Sequence, residues 1–275
     1  MINLFYEEGY WGHSKTLNGP KKVVYNLIEA LEQEGVPYAI NEEKYKNNFL
    51  IQYDYNGYLK HSKLDLENCV LGPQIWMFDN HVEDILEHPE YYKKIIAPSQ
   101  WVKDKFHKKF NVPEHKVSIW PVGIKLPEYK RKKQYGCLVY YKRRDQKELS
   151  KVREFLASRH ITYNVMEYGN YSQNALEILA PESEFCFVLN GTESQGIAIQ
   201  EIMSYDTPLF VWDIETWEDQ GPKYSVPAKR FLREIYYSNA RRFLILRNSS
   251  VPNTIKTLAL STHVDDRLLD NQVAR

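Results

Sequence analysis

Phe185-Cys186-Phe187-Val188-Leu189-Asn190-Gly191-Thr192-Glu193-Ser194-Gln195-Gly196-Ile197-Ala198-Ile199-Gln200-Glu201 is the stretch on which the fold turns. Its opening run, Phe185 to Leu189, is all apolar, the pattern of a strand buried on both faces. A short polar loop follows, and a helix begins near Gly196. After Thr207, the residues Pro208-Leu209-Phe210-Val211-Trp212 read as the next strand. Strand, loop, helix and strand in this succession make one βαβ unit of a parallel sheet. Ligands in such folds collect outside the carboxyl ends of the strands. Backbone N–H groups at a helix start can hold a diphosphate, and Gly196 lets a ligand approach the backbone closely. Glu201, about one turn inside the helix, is placed to accept both hydroxyls of a ribose, and Glu193 to reach a sugar beyond the phosphates. Two glutamates at this spacing arise readily by chance, as a solvated loop Glu and a surface helix Glu. The strand, loop, glycine, helix and strand around them make that the minority reading.

The same alternation continues outward in both directions. Ile2 to Tyr6 reads as a strand, and a polar loop runs from it to Asn18-Gly19-Pro20. A helix then carries Val23, Val24, Leu27, Ile28 and Leu31 on one stripe and stops at Gly35. Pro20 suits its first turn, where a missing N–H costs nothing. Further strands are expected over 36–40, 48–53 and from Cys69. Ile95-Ile96-Ala97-Pro98-Ser99 reads as a strand leading into a helix from Gln100 to Phe110 capped by Ser99, with Val117 to Trp120 the next strand. The polar, Pro-containing stretch 125–133 is the expected hinge. Beyond it come a strand over 137–141, a helix over 146–158 and a strand over 162–166. The pattern predicts an α/β protein of two Rossmann-like lobes with parallel sheets and a cleft between them. The lobes are expected over 1–124 and 125–257, with a tail over 258–275.

Composition narrows the function classes. Lys plus Arg and Asp plus Glu are equal at 36 each, so the basic excess of a dedicated nucleic-acid binder is missing. No apolar run approaches the length of a membrane span. Met1 to Gly9 lacks the basic start and long apolar middle of a signal peptide. Cys69, Cys137 and Cys186 are odd in number and widely spaced, which argues against a disulfide framework and against a zinc site. A cytoplasmic location is expected. The sequons at Asn170, Asn190 and Asn248 then carry no weight.

Glu193, Gly196, Glu201 and Pro208 resemble, in order, the paired-glutamate motif of the family 4 retaining glycosyltransferases, which have the GT-B fold. Residues 95–103 together with 116–124 are similar to the end of that family's first domain and its linker. Asn18-Gly19-Pro20 resembles the Gly-containing loop after its first strand. These matches span most of residues 1–228, although the chain is short for the family.

The resemblance implies a sugar transferred from a nucleotide-diphosphate sugar, UDP- or GDP-linked, to a glycan, lipid or protein acceptor, with retention. It implies no cofactor and no metal. Glu201 would bind the ribose and Glu193 the transferred sugar, while Ser194, Gln195, Gly196 and Ile197 would line the donor site and Gly19 the loop opposite. Lys142 and Arg144, in Tyr141-Lys142-Arg143-Arg144, would neutralise the leaving diphosphate; a solvated basic cluster is nearly as good a reading, and Lys147 is a further candidate. His81 would face the donor sugar, or else cap a helix near Val82, and Trp11 and His13 would line the acceptor site. The basic tail from Lys229 reads as irregular, with a helix over 253–260, a disordered segment or a surface for acidic lipid as its alternatives. Two rival functions accompany the transferase: a degenerate protein that holds a nucleotide or glycan without turnover, and a sugar-nucleotide epimerase.

Overall fold

The computed structural model describes residues 1–6, 19–52, 66–73, 86, 88–127, 132–191, 193–212 and 243–246, the last for backbone alone. The chain divides into two units. The first holds 1–125 with 194–201 and 219–222; the second holds 126–193, 202–218 and 223–275.

In the first unit the elements are β1 (Ile2–Tyr6), α1 (Gly19–Gln33), β2 (Tyr38–Ile40), β3 (Asn48–Gln52), β4 (Cys69–Leu71), β5 (Lys94–Ala97), α2 (Gln100–Phe110) and β6 (Val117–Ile119). Its sheet runs β2-β1-β3-β4-β5-β6, with parallel pairs throughout. The α1 stripe predicted from sequence is the buried one. Val23 and Val24 pack with Ile51, Val122 and Ile197, and Leu27 and Ile28 lie against the same cluster. Gly35, at φ +64°, takes the left-handed turn that ends this helix. Ser99 sits at the N-cap of α2 but makes no side-chain capping bond, so the expected hydroxyl cap is not formed. At the other end Asn111 is left-handed; its N–H returns to the His107 carbonyl, and the Val112 N–H to that of Phe106.

In the second unit the elements are β7 (Tyr135–Lys142), α3 (Gln146–Ser158), β8 (Tyr163–Glu167), α4 (Gln173–Glu182), β9 (Ser183–Asn190), β10 (Leu209–Trp212) and β11 (Phe243–Leu246). The helix α5 (Ile197–Ser204) begins in the first unit and ends in the second. The sheet runs β11-β10-β9-β7-β8, again all parallel. Because side chains alternate along a strand, Cys137, Val139 and Tyr141 face one side of β7, where they pack with Leu149, Val152 and Leu156 of α3. Leu138, Tyr140 and Lys142 therefore take the other side. β11 pairs with β10 over Phe243–Leu246, so the tail after residue 229 contains a strand where the sequence reads as irregular. The proposed helix over 253–260 lies outside the described residues.

Cys69, Cys137 and Cys186 are thiols, and all three are fully buried. Burial pushes the Cys186 thiol up to about 12 and the Cys137 thiol well above its ordinary value. A raised thiol pKa keeps the proton on at neutral pH, and the thiolate is the reactive form. Ellman's reagent is expected to label none of the three quickly in the native protein and all three in guanidinium chloride. One fast-reacting thiol before unfolding would contradict this burial. No helix among the described residues is long and apolar enough to cross a membrane.

Candidate functional site

Both sheets are wound the same way, with the second strand outside the first and the third on the first strand's other side. In such sheets the connections leave in opposite directions between the first and third strands, and the crevice that opens there at the carboxyl ends is where ligands bind. In the second unit this switch point lies between β7 and β9. The last residues paired across it are Lys142 and Asn190.

A buried ion pair of the second unit lies at that point. Lys142 Nζ lies 2.8 Å from Glu193 Oε1, and both side chains are about nine-tenths buried. The Asn190 side-chain amide donates to the same Glu193 oxygen at 3.1 Å. Behind them on the Lys142 face, Tyr140 is fully buried. Burial, and after it the negative charge of Glu193, holds its phenol protonated well above the ordinary range. Lys142 Nζ also sits 4.5 Å from the ring centroid of Tyr168, the residue that follows β8. Gly191 turns the chain here. Its N–H donates to the Lys142 carbonyl at 2.8 Å, and a Cβ on it would lie 2.2 Å from the Arg143 carbonyl oxygen. A side chain has no room at this position, so the close approach of the two strand ends requires glycine.

The loop between β7 and α3 is built by its own bonds. The Tyr141 hydroxyl donates to the Arg144 carbonyl. Arg143 takes a left-handed conformation at φ +51°. Asp145 caps α3 by accepting from the Lys147 N–H at 2.8 Å. The Arg144 guanidinium grips both carboxylate oxygens of Glu148, at 2.6 and 2.5 Å, and donates to the Trp212 carbonyl at 3.1 Å. It is therefore committed to α3 and to the end of β10, whereas Lys142 faces Glu193.

In the first unit, Gly196 adopts φ +66° and Ile197 opens α5. The Gln200 side-chain amide donates back to the Gln195 carbonyl at 2.8 Å and fixes the turn. Ile197 belongs to the apolar cluster on α1, and a Cβ on Gly19 would meet its Cδ1 at 3.9 Å. This packing brings the first turn of α1 to Glu201. Lys22 Nζ reaches both oxygens of that carboxylate, at 2.9 and 2.6 Å. Lys22 is 6% exposed.

The residues expected from sequence thus fall into two groups, each within one unit. Glu193 and Lys142 meet in the second unit, with Arg144 nearby in sequence but turned to Glu148. Gln195, Gly196, Ile197 and Glu201 lie in the first unit with Ser194 and Gly19. His81, Trp11 and His13 lie outside the described residues. Sequence reading missed Lys22, Asn190 and Tyr168. Asn190 could have been found as the polar residue that ends an apolar strand. Lys22 carried no signal, because its partner lies 179 positions away.

No family model matches the chain, and no curated protein sequence does. Solved structures are similar to it. WaaB, a lipopolysaccharide outer core galactosyltransferase in its apo form, aligns with 100% of this chain and 94% of its own, at 12% identity and a TM-score of 0.56. WaaG, a glycosyltransferase involved in lipopolysaccharide biosynthesis, aligns over 100% and 94% at 10% identity and a TM-score of 0.52. A mutant of S. aureus TarM in complex with fondaparinux, α-GlcNAc-glycerol and UDP aligns with 90% of this chain at 15% identity and a TM-score of 0.53; the chain spans about half of that protein, 52%. Identities this low speak to fold. The fold is α/β with two Rossmann-like lobes of parallel sheet, the fold class of these GT-B glycosyltransferases.

Proposed function

We propose that the protein is a glycosyltransferase that moves a sugar from a nucleotide-diphosphate sugar, UDP- or GDP-linked, to a glycan, lipid or protein acceptor, with retention and without a metal. The observation that carries this reading is the buried Lys142–Glu193 pair at the switch point of the second sheet. Breaking the bond between a sugar and a diphosphate puts negative charge on the leaving oxygen. A fixed ammonium in a water-poor site stabilises that charge strongly. Glu193, held by Lys142 and Asn190, is the acidic group for the sugar, as in the paired-glutamate motif of the family 4 enzymes that residues 193–208 resemble. Glu201 is assigned to the ribose, with backbone N–H groups of 195–197 toward the donor. Support comes from the glycosyltransferase activity of the structural neighbours, one of which was crystallised with UDP.

One observation favours a second reading, a protein that holds the nucleotide without turnover. The Arg144 guanidinium already serves Glu148 and Trp212, which leaves Lys142 as the cation of this cluster aimed at Glu193. Hydrolysis of UDP- and GDP-sugars in the absence of acceptor separates the two, since a transferase leaks sugar to water. A ligand that binds only the folded state must stabilise it. UDP or GDP is therefore expected to raise the melting temperature, and Glu201→Ala to weaken binding by about 1–3 kcal/mol. EDTA is expected to leave sugar release unchanged. No thermal shift with either nucleotide at millimolar concentration would remove the transferase reading.

A further inference from the structure

Lys22 is in the wrong place for any purely structural reason. It lies in the first turn of α1, where the helix dipole disfavours a cation, and no acidic side chain stands in that turn to offset it. It is nevertheless buried, at 6% exposure. Burying an ammonium beside a carboxylate seldom adds net stability, because the desolvation of both ions consumes the attraction; an apolar pair of similar size commonly serves as well. The neighbouring side chains Val23, Val24 and Ile197 show that this corner of the unit is otherwise apolar. Something other than stability therefore accounts for the charge, and among the described residues its partner is Glu201, the residue assigned to the ribose.

The contact is two-pronged, 2.9 Å to one Glu201 oxygen and 2.6 Å to the other. A carboxylate held through both oxygens cannot rotate freely about its last bond. Each carboxylate oxygen has acceptor capacity for more than one donor, so an ammonium and ribose hydroxyls can share it.

We propose that Lys22 is a positioning residue of the donor site: through its two-pronged ion pair it holds the Glu201 carboxylate oriented so that it reads the 2′- and 3′-hydroxyls of the nucleotide's ribose. This rests on the assignment of Glu201 to the ribose. The two helices supply opposite halves of the reader, α1 the cation and α5 the carboxylate, and Ile197 fixes their spacing through the apolar cluster beneath.

The test is discrimination between ribose and deoxyribose, which a merely structural role would not change selectively. UDP, GDP and ADP are titrated against the full chain, each beside its 2′-deoxy form. The wild-type protein is expected to prefer the ribonucleotide it binds by about tenfold or more, the usual worth of a hydrogen bond to a charged group. Lys22→Met should lower that ratio toward one, and Lys22→Arg should restore most of it. Lys22→Gln, which keeps a donor but no charge, decides the matter should the Met variant fail to fold. A Lys22→Gln ratio equal to wild type would overturn the proposal. Tighter nucleotide binding by Lys22→Met would also overturn it, by showing that Lys22 competes with the ligand for Glu201. Glu201→Gln separates the two levels. A lost ratio there with an unchanged ratio in the Lys22 variants defeats the Lys22 inference alone. An unchanged ratio in Glu201→Gln, or none in the wild type, defeats the ribose assignment and the inference with it.

Discussion

Lys142→Met is expected to cut sugar transfer or donor hydrolysis by about a hundred- to a thousandfold, the loss seen when one fixed electrostatic stabiliser is removed from an acyl-transfer site. It is also expected to destabilise the second unit by about 3–5 kcal/mol. The two losses have different causes. Lys142 Nζ is 2.8 Å from Glu193, and both side chains are withdrawn from water. Removing the ammonium leaves a carboxylate in a place where its charge is costly, and that penalty falls on folding whether or not substrate is present. The catalytic loss arises only when the diphosphate departs. Lys142→Met combined with Glu193→Leu tells them apart: the double variant should regain most of the melting temperature while activity stays lost. Transfer within tenfold of wild type in the single variant would show that Lys142 does not meet the leaving group.

Gly191→Ala is expected to be the most damaging single methyl in the second unit. The added Cβ would lie 2.2 Å from the Arg143 carbonyl oxygen and 3.1 Å from its carbonyl carbon. Both are backbone atoms at the end of β7, so no flexible side chain can swing away. Relief requires the strand end or the loop after β9 to move by a sizeable fraction of an ångström. Forced overpacking of this kind costs about 1–3 kcal/mol, and more where backbone must yield. The moving segment carries Lys142 on one side and Asn190 on the other, so nucleotide binding and turnover should fall together with stability. Gly169→Ala makes the comparison: φ there is +87°, and nothing stands within 4 Å of a Cβ. Only the left-handed backbone resists the change, at about 1 kcal/mol, and activity should persist. Equal melting temperatures for the two variants, measured by urea or heat, would show that the close approach at Gly191 is not rigid.

Much of the fold could be read from sequence because the apolar pattern has a strict period. The buried strand read from Phe185 to Leu189 is β9, extended at each end by polar residues that the pattern could not claim. The α1 stripe and the helices α2 and α3 were recovered, and for α1 Pro20 and Gly35 mark the ends by their own backbone chemistry. The strand expected over 36–40 shrinks to Tyr38–Ile40, its first two residues being used to turn out of α1. The helix α4 went unseen: it is short, contains Pro181 in its last turn, and carries only Leu176 and Ala180 as plainly buried apolar positions. The strand β11 was hidden inside a basic stretch.

The site was legible as far as a local frame could carry it. Glu193, Gly196 and Glu201 announce themselves through the strand, loop and helix that hold them. Lys142 and Arg144 looked interchangeable, being two cations after one strand. The bonds of Arg144 to Glu148 and Trp212, against that of Lys142 to Glu193, separate them, and none of these is visible in a run of letters. The Lys22 contact depends on the packing of Ile197 against α1, a tertiary event with no trace in local sequence.

That packing also dictates when the protein can be finished during synthesis. Ile197 and Glu201 belong to the first unit, although they follow the second unit's first three strands in the chain. Lys22 leaves the ribosome 179 residues before the carboxylate that neutralises it. At usual elongation rates of roughly 5–20 residues per second, that interval is on the order of ten to forty seconds. Through that time the nascent first unit has a cation without its anion and an apolar corner without Ile197. A fragment ending at residue 125 would carry the same defect permanently, so the two units depend on one chain for their completion and not merely for their tether.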